Sequence, residues 1–512
     1  MKIAGIFFMF LMLGCTLMSA CLPVQTQDAM EVFDAINQPT LVNTDNQTEF
    51  VQSITSTKDL VETQTTREPE SFEQGDAKEE ATETQESLET ELIVQERIFD
   101  GLTLAGVSVE FWHIYYGEHG DGMQSLVDEF NISNPYGIQV EALAQGSYPD
   151  IEYMVDSGKQ SKNLPNVVLA YTNKLLDWYH EDVIADITPY IQDMKYGLTS
   201  AEMDDLFPHL KRAVKTRDGA WIAYPMTQSA NVLVYNFTWA EDLGFWEPPQ
   251  TSDELKTLVC TAAEAAQNVE VGFEGKGGMV YVANASNWLQ WLYAFNGHEL
   301  NESGTAYNFY TQEAIDASMF LLDLKDNACL YLYDGYPNPL QAQRTAMISM
   351  SSTAGIPYYT AAFRRADNSD LWGFIAAPGP DGKKAVDSFQ QMLGVLKGSP
   401  EEELASWLFI KWLTSPEIQA RWLKINRGYY GTHYSSDSYL LDYAAENAVW
   451  ASGAELIKYG FSEPETFPAW SSVRDLIDDM AVELIYATNQ ADVEAILAAY
   501  TEMANALVEK GQ

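Results

Sequence analysis

The rhythm of apolar positions changes three times along the chain. Residues 3–13 form one apolar run behind Met1-Lys2. About eleven residues are too few to span a bilayer and are the length of a signal-peptide core. From residue 22 to about 104 no apolar period is present. Beyond residue 107, period-two and period-3.6 stretches alternate. Residues 107–112 alternate and are β-branched or aromatic, which predicts a strand. A Gly-rich loop at 117–122 follows, then a helix over 123–130 with Met123, Leu126, Val127 and Phe130 on one face. Asn134-Pro135-Tyr136-Gly137 is a turn signal, and 138–143 is a second strand. Strand, helix, strand in so short a span is a βαβ unit, which demands a parallel sheet with crossover helices. The alternation continues with strands at 166–170, 231–235, 346–350 and 392–396, and helices at 174–180, 252–267, 314–325 and 401–413.

Charge narrows the function. The 512 residues carry 29 Lys and Arg against 74 Asp and Glu, a net charge of −45. Such a chain has no footprint for nucleic acid and is repelled by anionic lipid surfaces. Residues 22–104 hold about nineteen acidic and four basic side chains among Thr, Gln and Ser. That composition predicts an extended, disordered linker, with at most a marginal helix at 87–97. The remaining four hundred or so residues suit two α/β lobes. Four cysteines exclude a disulfide-rich scaffold and a cysteine metal framework. Cys260 and Cys329 read as two buried thiols, although an exported context permits a bond.

Enzyme signatures are missing. There is no Gly-x-Ser-x-Gly elbow, no His-Glu-x-x-His and no Walker loop, and residues 272–278 are Gly-rich without a following Lys-Ser/Thr. The six His are dispersed, and His113 with His119 has no third metal ligand. No cofactor and no metal are expected. Carboxylates are too abundant for a pair to identify a glycoside hydrolase.

Two resemblances add to this reading. Leu17-Met18-Ser19-Ala20-Cys21 resembles a bacterial lipoprotein signal, with Met18 where Leu is more usual. It implies a signal peptide at 1–20 and a lipidated Cys21 opening a 21–104 linker. The blocks Phe111-Trp112-His113, Leu126-Val127-Asp128-Glu129-Phe130-Asn131, Gly146-Ser147-Tyr148, Tyr224-Pro225, Trp288-Leu289-Gln290-Trp291, Thr345-Ala346-Met347 and Gly428-Tyr429-Tyr430 follow in order. Together they resemble extracellular solute-binding proteins of ABC importers, the sugar and glycerol-phosphate branch. The resemblance implies a type II periplasmic-binding-protein-like α/β fold, with two lobes, a hinge and a ligand cleft between them. It puts one lobe at 105–225 with 374–416 and the other at 226–373 with 417–512. Crossings are implied near 224–229, 372–377 and 413–419. It also implies a monomer held on the outer face of the cytoplasmic membrane by its lipid, capturing a carbohydrate for permease subunits and catalysing nothing.

Sugars present C–H faces to aromatic rings and hydroxyls that need partners, so the cleft should mix rings with amides and hydroxyls. Ligands of open parallel sheets sit beyond the carboxyl ends of strands. Matching the family's motifs residue by residue gives His113, Tyr148, Tyr171, Thr172, Gln228, Ser229, Trp288, Ser351, Ser352, Gln391, Tyr429 and Trp470 as ligand-binding candidates. Of Tyr429 and Tyr430, one should face the cleft and the other the interior. Trp291 and Trp412 belong to the core by their helical spacing. Glycerol-phosphate-binding relatives carry a late basic residue. Residues 464–472 contain none, and Arg474 is the nearest. A neutral mono- or oligosaccharide is therefore the expected ligand, with glycerol-3-phosphate or a related polyol phosphate as the alternative, and a secreted glycoside hydrolase behind both.

Overall fold

The structure is a computed structural model that describes residues 99, 101–159, 164–266 and 277–511. The signal run, Cys21, the acidic segment up to residue 98 and the marginal helix lie outside them, as do residues 272–276 of the Gly-rich stretch. Packed structure is present at Phe99, ahead of the residue-105 boundary expected from sequence. Phe99 and Leu104 are both buried, Phe99 with its ring 4.9 Å from that of Tyr190. Among the described residues no helix is long and apolar enough to cross a membrane.

The predicted βαβ opening is present as β1 (Ser108–His113), α1 (Gly117–Ser133) and β2 (Gln139–Ala144). The expected Gly-rich loop is the first part of α1 instead. Gly117 opens the helix at φ +56. Gly122 lets Ile425 come close, since a Cβ there would meet the Ile425 Cδ1 at 2.8 Å. Then come α2 (Tyr148–Gly158), β3 (Val167–Ala170), α3 (Thr172–His180) and β4 (Tyr224–Asn236). Next are α4 (Ser252–Ala266), β5 (Gly277–Tyr281), α5 (Ala285–Ala294), α6 (Gln312–Asp326), β6 (Leu330–Leu332) and β7 (Ala346–Ser352). The chain closes with β8 (Trp372–Ile375), β9 (Ala377–Pro378), β10 (Lys384–Val395), α7 (Pro400–Leu413), α8 (Pro416–Ile425), β11 (Gly460–Phe461), α9 (Trp470–Ile485) and α10 (Gln490–Gly511). The start of α7 is written locally: Ser399 and Glu402 form a capping box around a first-turn Pro400.

One mixed sheet runs through the molecule in the order β2-β1-β3-β10-β4-β7-β5-β6. Its flanks, β2-β1-β3 and β7-β5-β6, are parallel, while β10 and β4 are antiparallel to each other and to their outer neighbours. Both long strands extend well past the predicted 231–235 and 392–396. Their middles carry Thr227, Gln228, Ser229, Asp387, Gln390 and Gln391, which lie outside the predicted strands, yet all are buried. Pairing β4 with β10 satisfies their backbone groups, as burial requires.

Two large apolar cores lie on the two flanks of the sheet. Phe111, Val168, Tyr224 and Met392 belong to the first, and Leu233, Met279, Ile348, Ala385 and Val473 to the second. β4 and β10 therefore pass from one lobe into the other. The second passage is made by β10; 372–377 instead holds β8, paired to the far end of β4. Between Gln391 and Met392 the pairing register slips, a bulge at the crossing. Helix α8 contributes Trp422 to the first core and Leu423 to a third, smaller cluster beside Tyr430 and Trp450. Against the two-thiol expectation, Cys260 on α4 and Cys329 just before β6 are bonded across 69 residues, with Cα atoms 4.6 Å apart. The two residues hold neighbouring elements of one lobe.

Candidate functional site

Parallel strands deliver side chains to their carboxyl ends, and here three tyrosines follow three such ends. Tyr115 follows β1, Tyr148 opens α2 after β2, and Tyr171 caps α3 after β3. The Tyr148 turn is built locally. Gly146 sits at φ +91, and Asp150 accepts from the Ser147 backbone N–H at 2.8 Å and its hydroxyl at 2.7 Å. Tyr148 and Tyr171 meet with ring centroids 4.4 Å apart.

Gln391, beside the bulge of β10, ties this wall together. Its amide Nε2 donates to the Tyr148 hydroxyl at 3.0 Å, while its Oε1 accepts from Tyr115 at 3.0 Å and from Thr227 at 2.6 Å. Burial first, then neighbouring phenols, hold Tyr115 and Tyr148 well above the ordinary tyrosine range. Tyr429 is pushed up to about 12, also by burial first. The phenols are therefore neutral groups, able to donate as well as accept. Tyr429 is half-buried, whereas Tyr430 is interior and donates to the Trp450 carbonyl at 3.2 Å. Tyr430 is thus the interior member of the pair.

The opposite wall is acidic. Segment 462–471 of the second lobe faces α3: the Asn173 amide donates to the Ser471 hydroxyl at 3.2 Å, Thr172 lies against the Glu465 carboxyl, and Arg217 sits 5.4 Å over the Phe467 ring. Behind Glu465 lie Glu463, Asp387 and Arg474. The Arg474 Nε donates to Glu463 at 2.7 Å, its Nη2 donates to Ser286, and Asp478 is 4.0 Å from Nη1. Both Asp387 oxygens, Glu463 Oε1 and Glu465 Oε2 are shut off from solvent and accept no hydrogen bond. Burial drives the Asp387 carboxyl well above its usual range, and the Glu463 charge adds to this while Arg474 opposes it.

Several candidates are placed elsewhere. Trp288 is 1 % exposed, donates to the Ser318 hydroxyl at 3.2 Å and packs on Phe309, so its ring is core and presents no face to a cleft. Trp470 is core too, stacked near Tyr307. Gln228 has its amide engaged: His209 and Ser388 each lie 2.8 Å from Oε1, and Nε2 donates to the Gly431 carbonyl at 2.7 Å. Ser229 is buried in the β4–β10 pairing. His113 is buried, its Nδ1 accepts from the Tyr115 N–H at 3.1 Å, and burial lowers it to about 4. Ser351 and Ser352 end β7 half-buried, and the Ser352 hydroxyl caps the following turn through the Ala354 N–H at 3.2 Å. Tyr148, Tyr171, Thr172, Gln391 and Tyr429 form one neighbourhood. Sequence reasoning passed over Tyr115, Asn173, Asp387, Glu463 and Glu465. A tyrosine two residues past a strand end was a usable signal for the first, but the acids were lost among many others.

A family model described as bacterial extracellular solute-binding protein matches residues 125–456. The chain belongs to that family. Among curated relatives of this solute-binding protein, a probable ABC transporter-binding protein of Deinococcus radiodurans is 29% identical over 262 residues, 48% of this chain and 60% of that protein. The sn-glycerol-3-phosphate-binding periplasmic protein UgpB of Salmonella typhimurium is 23% identical over 220 residues, 42% of this chain and 49% of the relative. The chain thus spans about half the length of the curated relatives it matches. Among solved structures, the cyclic alpha-maltosyl-1,6-maltose binding protein of Arthrobacter globiformis superposes with a TM-score of 0.66 at 20% identity, over 79% of this chain and 100% of that one. UgpB of Mycobacterium tuberculosis, in complex with glycerophosphocholine, gives 0.62 at 16% identity, over 79% and 99%. These likenesses show the fold: two lobes of the periplasmic-binding-protein kind.

Proposed function

We propose that this solute-binding protein captures a neutral mono- or oligosaccharide between its lobes and hands it to the permease of an ABC importer. In this reading Cys21 carries a lipid that holds the protein on the outer face of the membrane, and residues 21–98 space it from the bilayer. The lobes are 105–225 with 374–416 and 226–373 with 417–512, and β4 and β10 are the hinge. The ligand lies against Tyr148, Tyr171 and Tyr429, with Thr172, Gln391, Ser351 and Ser352 within reach of its hydroxyls. The protein acts as a monomer, without chemistry and without a cofactor.

The observation that carries the choice of ligand is Arg474. A phosphate dianion needs a cation with donors to give, and this guanidinium is already engaged by Glu463 and Ser286, beside further carboxyls. Tyrosine rings backed by an amide bonded to Tyr148, Tyr115 and Thr227 suit sugar faces instead. The names of structural relatives point both ways, to maltosyl sugars and to glycerophosphocholine.

A thermal-shift screen with maltose, maltotriose, cycloalternan and glycerol-3-phosphate tests the reading. A saccharide is expected to raise the melting temperature, glycerol-3-phosphate is not, and Tyr148→Ala should weaken the saccharide at least tenfold. A shift with glycerol-3-phosphate alone would overturn it. Release of new reducing ends from a bound oligosaccharide would instead reveal a hydrolase.

A further inference from the structure

The acidic wall poses a charge problem that the tyrosine wall does not. Asp387, Glu463 and Glu465 crowd around Arg474, and their buried oxygens outnumber the donors that reach them. An ionised carboxylate without partners is among the most costly groups to bury, so such clusters hold protons instead. The Glu463 charge adds to the burial that raises the Asp387 carboxyl, so the two cannot both carry their charge at low cost. Asp387 lies on β10 at the end that joins the second core through Ala385, and Glu463 faces it from segment 462–471.

Glu465 is different, because part of its burial comes from the other lobe. Thr172, 1 % exposed, lies against the Glu465 carboxyl, and the Asn173 backbone N–H reaches it too. Next to them the Asn173 amide joins Ser471. Opening the lobes removes this cover and wets the carboxyl. The groups that face it are Glu463 and Arg474 from its own lobe and Tyr171, Thr172 and Asn173 from α3, with Asp387 behind.

We propose that closing the two lobes takes up a proton at Glu465, so that the protein holds its ligand more tightly in mildly acidic than in alkaline surroundings. The mention of a ligand rests on the capture reading above; the proton linkage of closure does not. With α3 against segment 462–471, burial raises the Glu465 carboxyl to about 7, the Glu463 charge raises it further, and Thr172, the Asn173 N–H and Arg474 act against that rise. In an open, wetted cleft it returns toward the ordinary glutamate range of about 4.3. The sign follows from linkage: the closed form binds the extra proton, so closure is unhindered below the open-state value and is weakened as pH climbs toward the closed-state value. His113, His209 and His433 are lowered by burial to about 4 and do not titrate in that window. Glu299 is raised by burial to about 7, with Tyr293 and Glu463 as its neighbours, and Asp437 by burial to about 6, beside Glu455 and Asp205; neither is among the groups that face Glu465.

Spin labels placed through Tyr153→Cys and Trp246→Cys, exposed positions on opposite lobes, read closure directly in the ligand-free full chain. The closed-to-open ratio should fall by up to about tenfold per pH unit between pH 5 and 7, and should lose that slope in Glu465→Gln. Thr172→Val, which removes a hydroxyl that opposes protonation, should shift the slope to higher pH and stands in if Glu465→Gln fails to fold. An interlobe distance that does not change between pH 5 and 8, or a slope that persists in Glu465→Gln, overturns the proposal. Adding maltotriose separates the two readings. A pH slope without any effect of maltotriose supports the linkage and counts against saccharide capture; closure by maltotriose without a pH slope does the reverse.

Discussion

The two lobes meet with walls of opposite kind. On the first lobe, tyrosines surround Gln391, whose amide is bonded to Tyr148, Tyr115 and Thr227. On the second, carboxyl oxygens lie buried with too few donors, next to a guanidinium that cannot satisfy them all. The lobes also differ inside, since the second is stapled by Cys260–Cys329 while the first relies on packing alone among the described residues. A satisfied network specifies geometry, whereas a deficient one stores a response to protons or to a partner. One wall is thus suited to recognition and the other to control.

The largest test of that contrast is the staple. Replacing both cysteines with Ser opens a 69-residue loop and should cost about 2–4 kcal/mol. Hydrogen exchange should quicken in α4 and β6 while β1 and β3 keep their protection; equal loss in both lobes would erase the difference. Next is Asp387→Asn. The native carboxyl is held above the usual aspartate range, so the stability tied to its proton is full at low pH and is lost as pH rises. The amide should therefore gain about 1–3 kcal/mol in urea unfolding at pH 8, and the gain should vanish near pH 4. On the tyrosine side, Tyr148→Phe leaves the Gln391 Nε2 without its acceptor and should cost about 1 kcal/mol, with no change between pH 5 and 8. Smallest is Asn173→Ala, which removes one interlobe hydrogen bond and should weaken closure by about 0.5 kcal/mol in the spin-label distances.

Local pattern carried much of the fold. The βαβ opening, the helices at Ser252–Ala266 and Gln312–Asp326, and the capped start of α7 were all legible as periods and end signals. The long strands were legible only in part, because polar middles such as Thr227-Gln228-Ser229 look solvated until a second strand is known to cover them. The same limit governs the site. Tyr148 could be placed by its position after a strand, but Trp288 carries no mark that distinguishes a stacking ring from a core ring. Glu465 could not be chosen from sequence at all, because its burial involves Thr172 and Asn173, nearly three hundred residues away. The disulfide was undecided for that reason also: spacing says nothing about whether a helix and a distant strand will bring two sulfurs together.

The double passage of the chain through β4 and β10 also shapes how the molecule is made. The first core waits for Met392, Leu393 and Trp407, and the second waits for Val473 and Leu497 near the far terminus. A nascent chain emerging from the ribosome therefore holds neither body complete until almost all of it has been synthesised. Long contacts of this sort slow folding.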